Sequence, residues 1–162
     1  MLDLVLLPDE RLHRVSAPVE TIDSRIVTLA EHMVTTMQIA KGIGLAGVQV
    51  GEMSRIFVAL DNDEKPRVFI NPVITAFSEE TGSYEEGCLS IPGVYAEVVR
   101  PLALQITAFD VQGKPFTLEA SDLFARVIQH EYDHLIGKLF YEYLRPGTQK
   151  RLLRIYEKRM RA

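Results

Sequence analysis

From Asp23 to Ala40 the apolar residues Ile26, Leu29, Met33, Met37 and Ala40 recur at spacings of three and four, the period of a helix with one buried face. Asp23 is placed to cap its start and Gly42 to end it. Shorter β-rich runs follow at Arg55–Leu60, Val68–Ile70 and Val73–Phe77. A longer run from Val98 to Asp110 has Leu104, Ile106 and Ala108 alternating with Gln105 and Thr107, the period of a half-buried strand. The turn Val111-Gln112-Gly113-Lys114-Pro115 leads into Phe116–Glu119 as a hairpin return, so part of the sheet is antiparallel. A second helix is predicted from Asp122 to Ile136, with Ser121 before it, Gly137 after it, and Leu123, Val127, His130 and His134 on its inner face. A third starts near Thr148, with Leu152, Tyr156 and Met160 on its docking stripe and Arg151, Arg154, Lys158 and Arg161 on another. One early helix, several strands and two late helices make an α+β order. Small antiparallel or mixed sheets are expected to pack around the second helix as the central one, with an N-terminal and a C-terminal helix outside it.

Composition adds little to the fold and more to the setting. With 162 residues, 47% hydrophobic and 25% charged, and no internal repeat or low-complexity tract, residues 1–162 read as a single domain able to build a core without disulfides. No run approaches the ~20 apolar residues of a bilayer span, and the opening MLDLVLLPDE has acids where a secretory signal is basic. A single cysteine, Cys88, forbids an intrachain disulfide and agrees with a reducing compartment. A cytoplasmic location is therefore expected, without a membrane partner. Charge is uneven: Lys138 to Ala162 carries a net +6 within a total of −4. That segment is either a polyanion-binding tail or a solvated helix face.

Chemistry concentrates in three blocks. His130-Glu131-Tyr132-Asp133-His134 is an HExxH sequence inside the second predicted helix. Residues four apart share a helix face, so both imidazoles reach one ion, while a carboxylate at Glu131 acts on water as a base. The competing reading is a pair of core-edge histidines beside a surface acid. Such a site needs a third ligand, and Cys88 in Glu85-Glu86-Gly87-Cys88-Leu89-Ser90 offers one from a turn or extended loop; otherwise Cys88 is a small buried hydrophobe. The glycine-rich stretch Gly42-Ile43-Gly44-Leu45-Ala46-Gly47-Val48-Gln49 follows a helix and lacks the Lys-Ser/Thr of a phosphate loop, which disfavours nucleotide binding. It brings backbone polar groups and the Gln49 amide close to a substrate.

With GIGLAGVQ, EEGCLS and HEYDH in this order, the chain resembles the peptide deformylases, which remove the formyl group from the initiating methionine of new polypeptides. The likeness runs from PDERL through INP, SIP and GKPF to the basic C-terminal helix. It implies Cys88, His130 and His134 as metal ligands, Glu131 as acid/base, and Gln49 with the Leu89 backbone N–H as oxyanion donors. It places Ile43, Gly44 and Arg100 along the peptide path, and Tyr84, Leu123 and Val127 at the methionine pocket. One divalent metal ion is implied, Fe(II) by the resemblance, with Zn(II), Ni(II) or Co(II) compatible with the same ligands. Implied partners are N-formylmethionyl nascent peptides and the ribosome, docked through the basic C-terminal helix, with no specific DNA. Gly47 and Tyr84 depart from the usual alanine and aliphatic residue. By the resemblance Arg126 falls near the substrate cleft; the competing reading is a solvent-facing or ion-paired helix residue, and no role is assigned to it. Alternatives are a zinc endopeptidase, which shares HExxH, and a noncatalytic adaptor that uses the basic helix.

Overall fold

The computed structural model describes all residues, Met1–Ala162. Helix α1 spans Ser24–Ile39, with the Asp23 carboxylate accepting from the Ile26 N–H at 3.2 Å as its N-cap. Strands β1 (Gly44–Ala46), β2 (Ile56–Leu60), β3 (Pro66–Phe77), β6 (Ala103–Phe109) and β7 (Pro115–Ser121) form one antiparallel sheet in that spatial order. Strands β4 (Thr81–Cys88) and β5 (Ile91–Pro101) form a separate antiparallel ribbon. Helix α2 spans Asp122–Leu135 and α3 spans Pro146–Arg161.

The uninterrupted apolar run of β2 is explained by burial on both faces. Ile56 and Val58 join Ile26, Met33 and Met37 of α1 in a smaller core, while Phe57 and Ala59 join Phe69, Phe124 and Ile128 in the larger one. Helix α2 packs on β1, β2 and β7, and α1 lies against β1 and β2. The first strands of the sheet therefore separate the two helices and fix α2 at depth. Helix α3 docks on β5 through buried Leu152 and Tyr156, whose hydroxyl is hydrogen-bonded to the Leu7 carbonyl.

Several sequence expectations change. Val68–Ile70 and Val73–Phe77 are one strand, because Asn71, at φ 49°, carries the backbone past Pro72 while its side chain bonds both the N–H and C=O of Val19 at 2.8 Å. The long run from Val98 to Asp110 is two strands in different sheets, divided at Leu102, which donates to Glu80 O and accepts from Asp122 N. Cys88 ends a strand instead of lying in a loop, and Gly44–Ala46 pairs with β2. At the helix ends, Met160 and Leu123 are half exposed: Met160 belongs to the last turn of α3, and Leu123 opens α2 at the rim of a cavity.

Candidate functional site

On α2 the four-residue spacing puts His130 and His134 on one face, their rings edge-on with centroids 5.2 Å apart. Cys88 comes to them from the end of β4, where a bulge between Glu86 and Cys88 re-aims the strand. Gly87 permits that bend: a Cβ there would lie 2.6 Å from the Tyr95 ring. Cys88 Sγ is 3.5 Å from His134 Nε2, and one ligand atom from each of Cys88, His130 and His134 falls within 4.8 Å of the others. A thiolate and two imidazoles are a donor set for a borderline transition-metal ion. Beside them Glu131 Oε1 is buried with no partner in the protein. Buried polar atoms of this kind are rare unless something outside the chain satisfies them. The residues fit a single cation.

Burial decides the protonation tendencies here. It pushes the Glu131 carboxyl up to about 7, a value suited to taking and returning a proton near neutrality. Burial, with His130 beside it, holds His134 well below the ordinary imidazole range. At His130 burial acts in the same direction, but contacts with Cys88 and Glu86 overcome it and raise the group. His130 Nδ1 meets Glu86 Oε1 at 2.9 Å, so Nδ1 carries hydrogen toward the carboxylate and Nε2 is left to face a metal.

Glu86 is the hub of a buried network. It accepts from Arg100 Nε at 2.7 Å and Nη2 at 3.0 Å, and from Arg126 Nη1 at 2.7 Å. Burial works to raise its pKa, but His130 and Arg100 hold it at about 2 and therefore ionised. Arg100 Nη1 continues to Asp133 Oδ2 at 2.9 Å, where the Tyr143 hydroxyl also donates at 2.7 Å. Arg100 is thus not on a peptide path. It is 3% exposed, is absent from the cavity lining and is held on both sides by carboxylates. Its charge stabilises the groups behind the histidine. Removing one member of such a buried pair typically costs about 3–5 kcal/mol, because the other charge is stranded.

A cavity of about 390 Å³ opens beside the cluster. Ile43, Gly44, Gln49, Tyr84, Cys88, Leu89, Leu123, Val127, His130 and Glu131 line it, while His134 lies behind and Arg100 outside. Gly44 lets the backbone of β1 approach Glu131: a Cβ there would sit 2.5 Å from Oε2. The Gln49 amide is held by its Oε1, which accepts from Ala46 N at 2.9 Å, and its Nε2 donates to Ser90 Oγ at 3.1 Å and points at Cys88 Sγ, 3.5 Å away. The Leu89 N–H donates to no protein group. Sequence reasoning missed Glu86 and gave Arg126 no role, although the latter is buried, ion-paired and on the cavity wall. A signal existed for each. Arg126 stands four residues before His130, at a position of the inward stripe where a charge implies a buried partner, and Glu86 stands two before Cys88 on the same strand.

A family model described as polypeptide deformylase matches residues 1–150. The chain is 47% identical to the peptide deformylase of Chromohalobacter salexigens over 163 residues, covering 99% of this chain and 96% of the relative. It is similar to the crystal structure of Ehrlichia chaffeensis peptide deformylase in complex with actinonin, at TM-score 0.95 and 35% identity, covering 100% of this chain and 99% of the other. The peptide deformylase structure from Thermus thermophilus matches at TM-score 0.90 and 40% identity, with coverage of 98% and 94%.

Proposed function

The chain belongs to the polypeptide deformylase family, which makes it an enzyme that removes the N-formyl group from nascent polypeptides and releases formate, and we propose on that premise the following roles for its residues. Residues 1–162 act as one catalytic domain, and Cys88, His130 and His134 hold one divalent cation. The observation that carries this reading is their convergence within 4.8 Å beside a carboxyl oxygen that nothing in the chain satisfies. When bound, a divalent ion supplies Lewis acidity toward water and a carbonyl oxygen. Glu131 takes the proton of the attacking water, whose oxygen bonds to the formyl carbon, and delivers it to the α-amino nitrogen as the C–N bond breaks. The Gln49 amide hydrogen that faces Cys88 Sγ turns to donate, with the Leu89 N–H, to the oxygen that gains charge. Ile43 and Gly44 border the peptide, and Tyr84, Leu123 and Val127 surround the methionine side chain. The family assignment sets aside the endopeptidase and adaptor alternatives.

Fe(II) is the proposed resident ion, with Zn(II), Ni(II) and Co(II) as substitutes that the same ligands accept. A thiolate ligand and a ferrous ion are both oxidisable, so air inactivates the enzyme. Formate release from a formyl-methionyl peptide, measured together with metal content on anaerobically purified protein, tests the reading. Iron near one equivalent with high turnover supports it; equal turnover in oxidised, iron-free zinc protein contradicts the iron assignment, and absence of formate in a metal-loaded sample contradicts the function.

Gln49→Leu is expected to lower kcat by roughly 10²–10³-fold, the effect of losing one oxyanion donor. The metal content should stay near that of the parent. A kcat within about threefold of the parent, well short of that oxyanion-donor effect, removes Gln49 from the mechanism.

No helix is long and apolar enough to cross a membrane. We place the enzyme in the cytoplasm on the strength of its single cysteine and its substrate. Docking on the ribosome through α3 is proposed from the +6 charge of residues 138–162; the cations of α3 form no ion pair with a carboxylate of the chain. Because Leu152 and Tyr156 belong to the core, charge reversal suits the test better than truncation. Reversing Arg151, Arg154 and Lys158 to Glu should abolish salt-sensitive cosedimentation with ribosomes. Unchanged cosedimentation rejects the docking surface.

A further inference from the structure

Arg126 sits on α2 one residue before Val127 and three after Leu123, and with both of them and Tyr84 it lines the cavity assigned above to the first side chain of the substrate. The inference here rests on that assignment. The Arg126 guanidinium is fixed in place. Nη1 donates to Glu86 Oε2 at 2.7 Å and to Val98 O at 2.8 Å, Nη2 donates to Gly82 O at 2.8 Å, and the Tyr84 ring lies 5.6 Å from Cζ. A guanidinium has five N–H donors. The Nε hydrogen and one on Nη2 have no acceptor in the protein. Glu86 also receives Arg100 and His130, and Asp133 takes the other side of Arg100, so the two arginines share two carboxylates. The wall of the pocket therefore carries a buried, immobilised guanidinium with two N–H groups that no protein atom accepts.

An arginine here matters little to a thioether, which is a weak acceptor. It matters to a strong acceptor at the same distance along an unbranched side chain. Oxidation converts methionine to its sulfoxide, a polar group that a wholly apolar pocket rejects because the oxygen loses its hydration without a partner. We propose that Arg126 makes this pocket accept formyl-methionine sulfoxide at the start of a peptide, so that the enzyme deformylates chains whose first residue has been oxidised. The reaction is unchanged. Water oxygen bonds to the formyl carbon, the C–N bond breaks, the proton passes to the α-amino nitrogen, formate leaves, and the sulfoxide is neither reduced nor transferred.

Three formyl tripeptides that differ only in the first side chain test this: methionine, norleucine and methionine sulfoxide. Norleucine has the shape without the acceptor. Comparing kcat/KM for sulfoxide with that for norleucine cancels damage to Glu86 and His130 that a substitution of Arg126 brings. The parent enzyme should handle the sulfoxide within about tenfold of norleucine, and Arg126→Leu should lower that ratio by about tenfold or more, the effect of one charged hydrogen bond. Arg126→Lys keeps a cation for Glu86 and guards against a failure to fold; its ammonium is taken up by Glu86, so the ratio should fall there too. An unchanged ratio in the lysine variant, or a parent enzyme that cleaves the methionine and norleucine peptides but not the sulfoxide, overturns the inference. Formate from none of the three peptides would instead overturn the proposed function beneath it.

Discussion

Glu131→Gln is expected to reduce kcat for formate release by about 10²–10⁴-fold, the range associated with loss of a positioned acid/base. Glutamine preserves the size of the side chain, so the space left by Gly44 and the packing of Val127 are undisturbed. What it loses is the ability to take and return a proton. The carboxyl is pushed up to about 7 by burial, and one oxygen has no partner in the chain. Its replacement by a neutral amide should therefore leave thermal stability equal or higher, since burying a charge without a partner is costly. The metal content should be that of the parent because Glu131 is outside the three-residue cluster. Activity within about fivefold of the parent, with metal in place, removes Glu131 from the general acid/base role.

The second large effect concerns the sulfur. Cys88→Ala takes away one of the three proposed ligands and the only negative one, and the remaining histidines come from a single helical turn. Protein isolated by the same procedure should contain well below one equivalent of metal. Its activity should fall by roughly 10³-fold or more, the equivalent of several kcal/mol of lost electrophilic stabilisation. The fold should survive, because Cys88 lies at a strand end, only partly buried, and its neighbours on β5 hold the ribbon. A circular dichroism spectrum matching the parent's, alongside the missing metal, would establish that separation. Retention of a full equivalent of tightly bound metal in this variant contradicts the ligand assignment.

The helices were legible because their signals are local. Asp23 caps α1 where the apolar spacing begins, and α2 ends one residue before the expected position, with Gly137 at φ 76° just past it. The HExxH pair was legible for the same reason, since four residues of helix place both rings by themselves. The division at Leu102 was not. Alternation over Val98–Asp110 records which face of a strand is buried and says nothing about which sheet the strand joins; that depends on Glu80 and Asp122, distant in the chain. Arg100 was misplaced for a related reason. The resemblance alone put it on the peptide path, whereas two carboxylates, Glu86 and Asp133, meet it from β4 and α2. Arg126 stood in plain view at an inward helical position, yet its meaning came only with Glu86, Val98 O and Gly82 O around it. Buried charge is a property of partners assembled by topology, which one-dimensional pattern does not record.

X-ray absorption spectroscopy of the parent protein loaded with one equivalent of metal is the most direct measurement of the ligand set. One sulfur and two imidazole nitrogens around a single ion are predicted, with the sulfur signal gone in Cys88→Ala. A coordination sphere of nitrogen and oxygen alone in the parent would contradict the account.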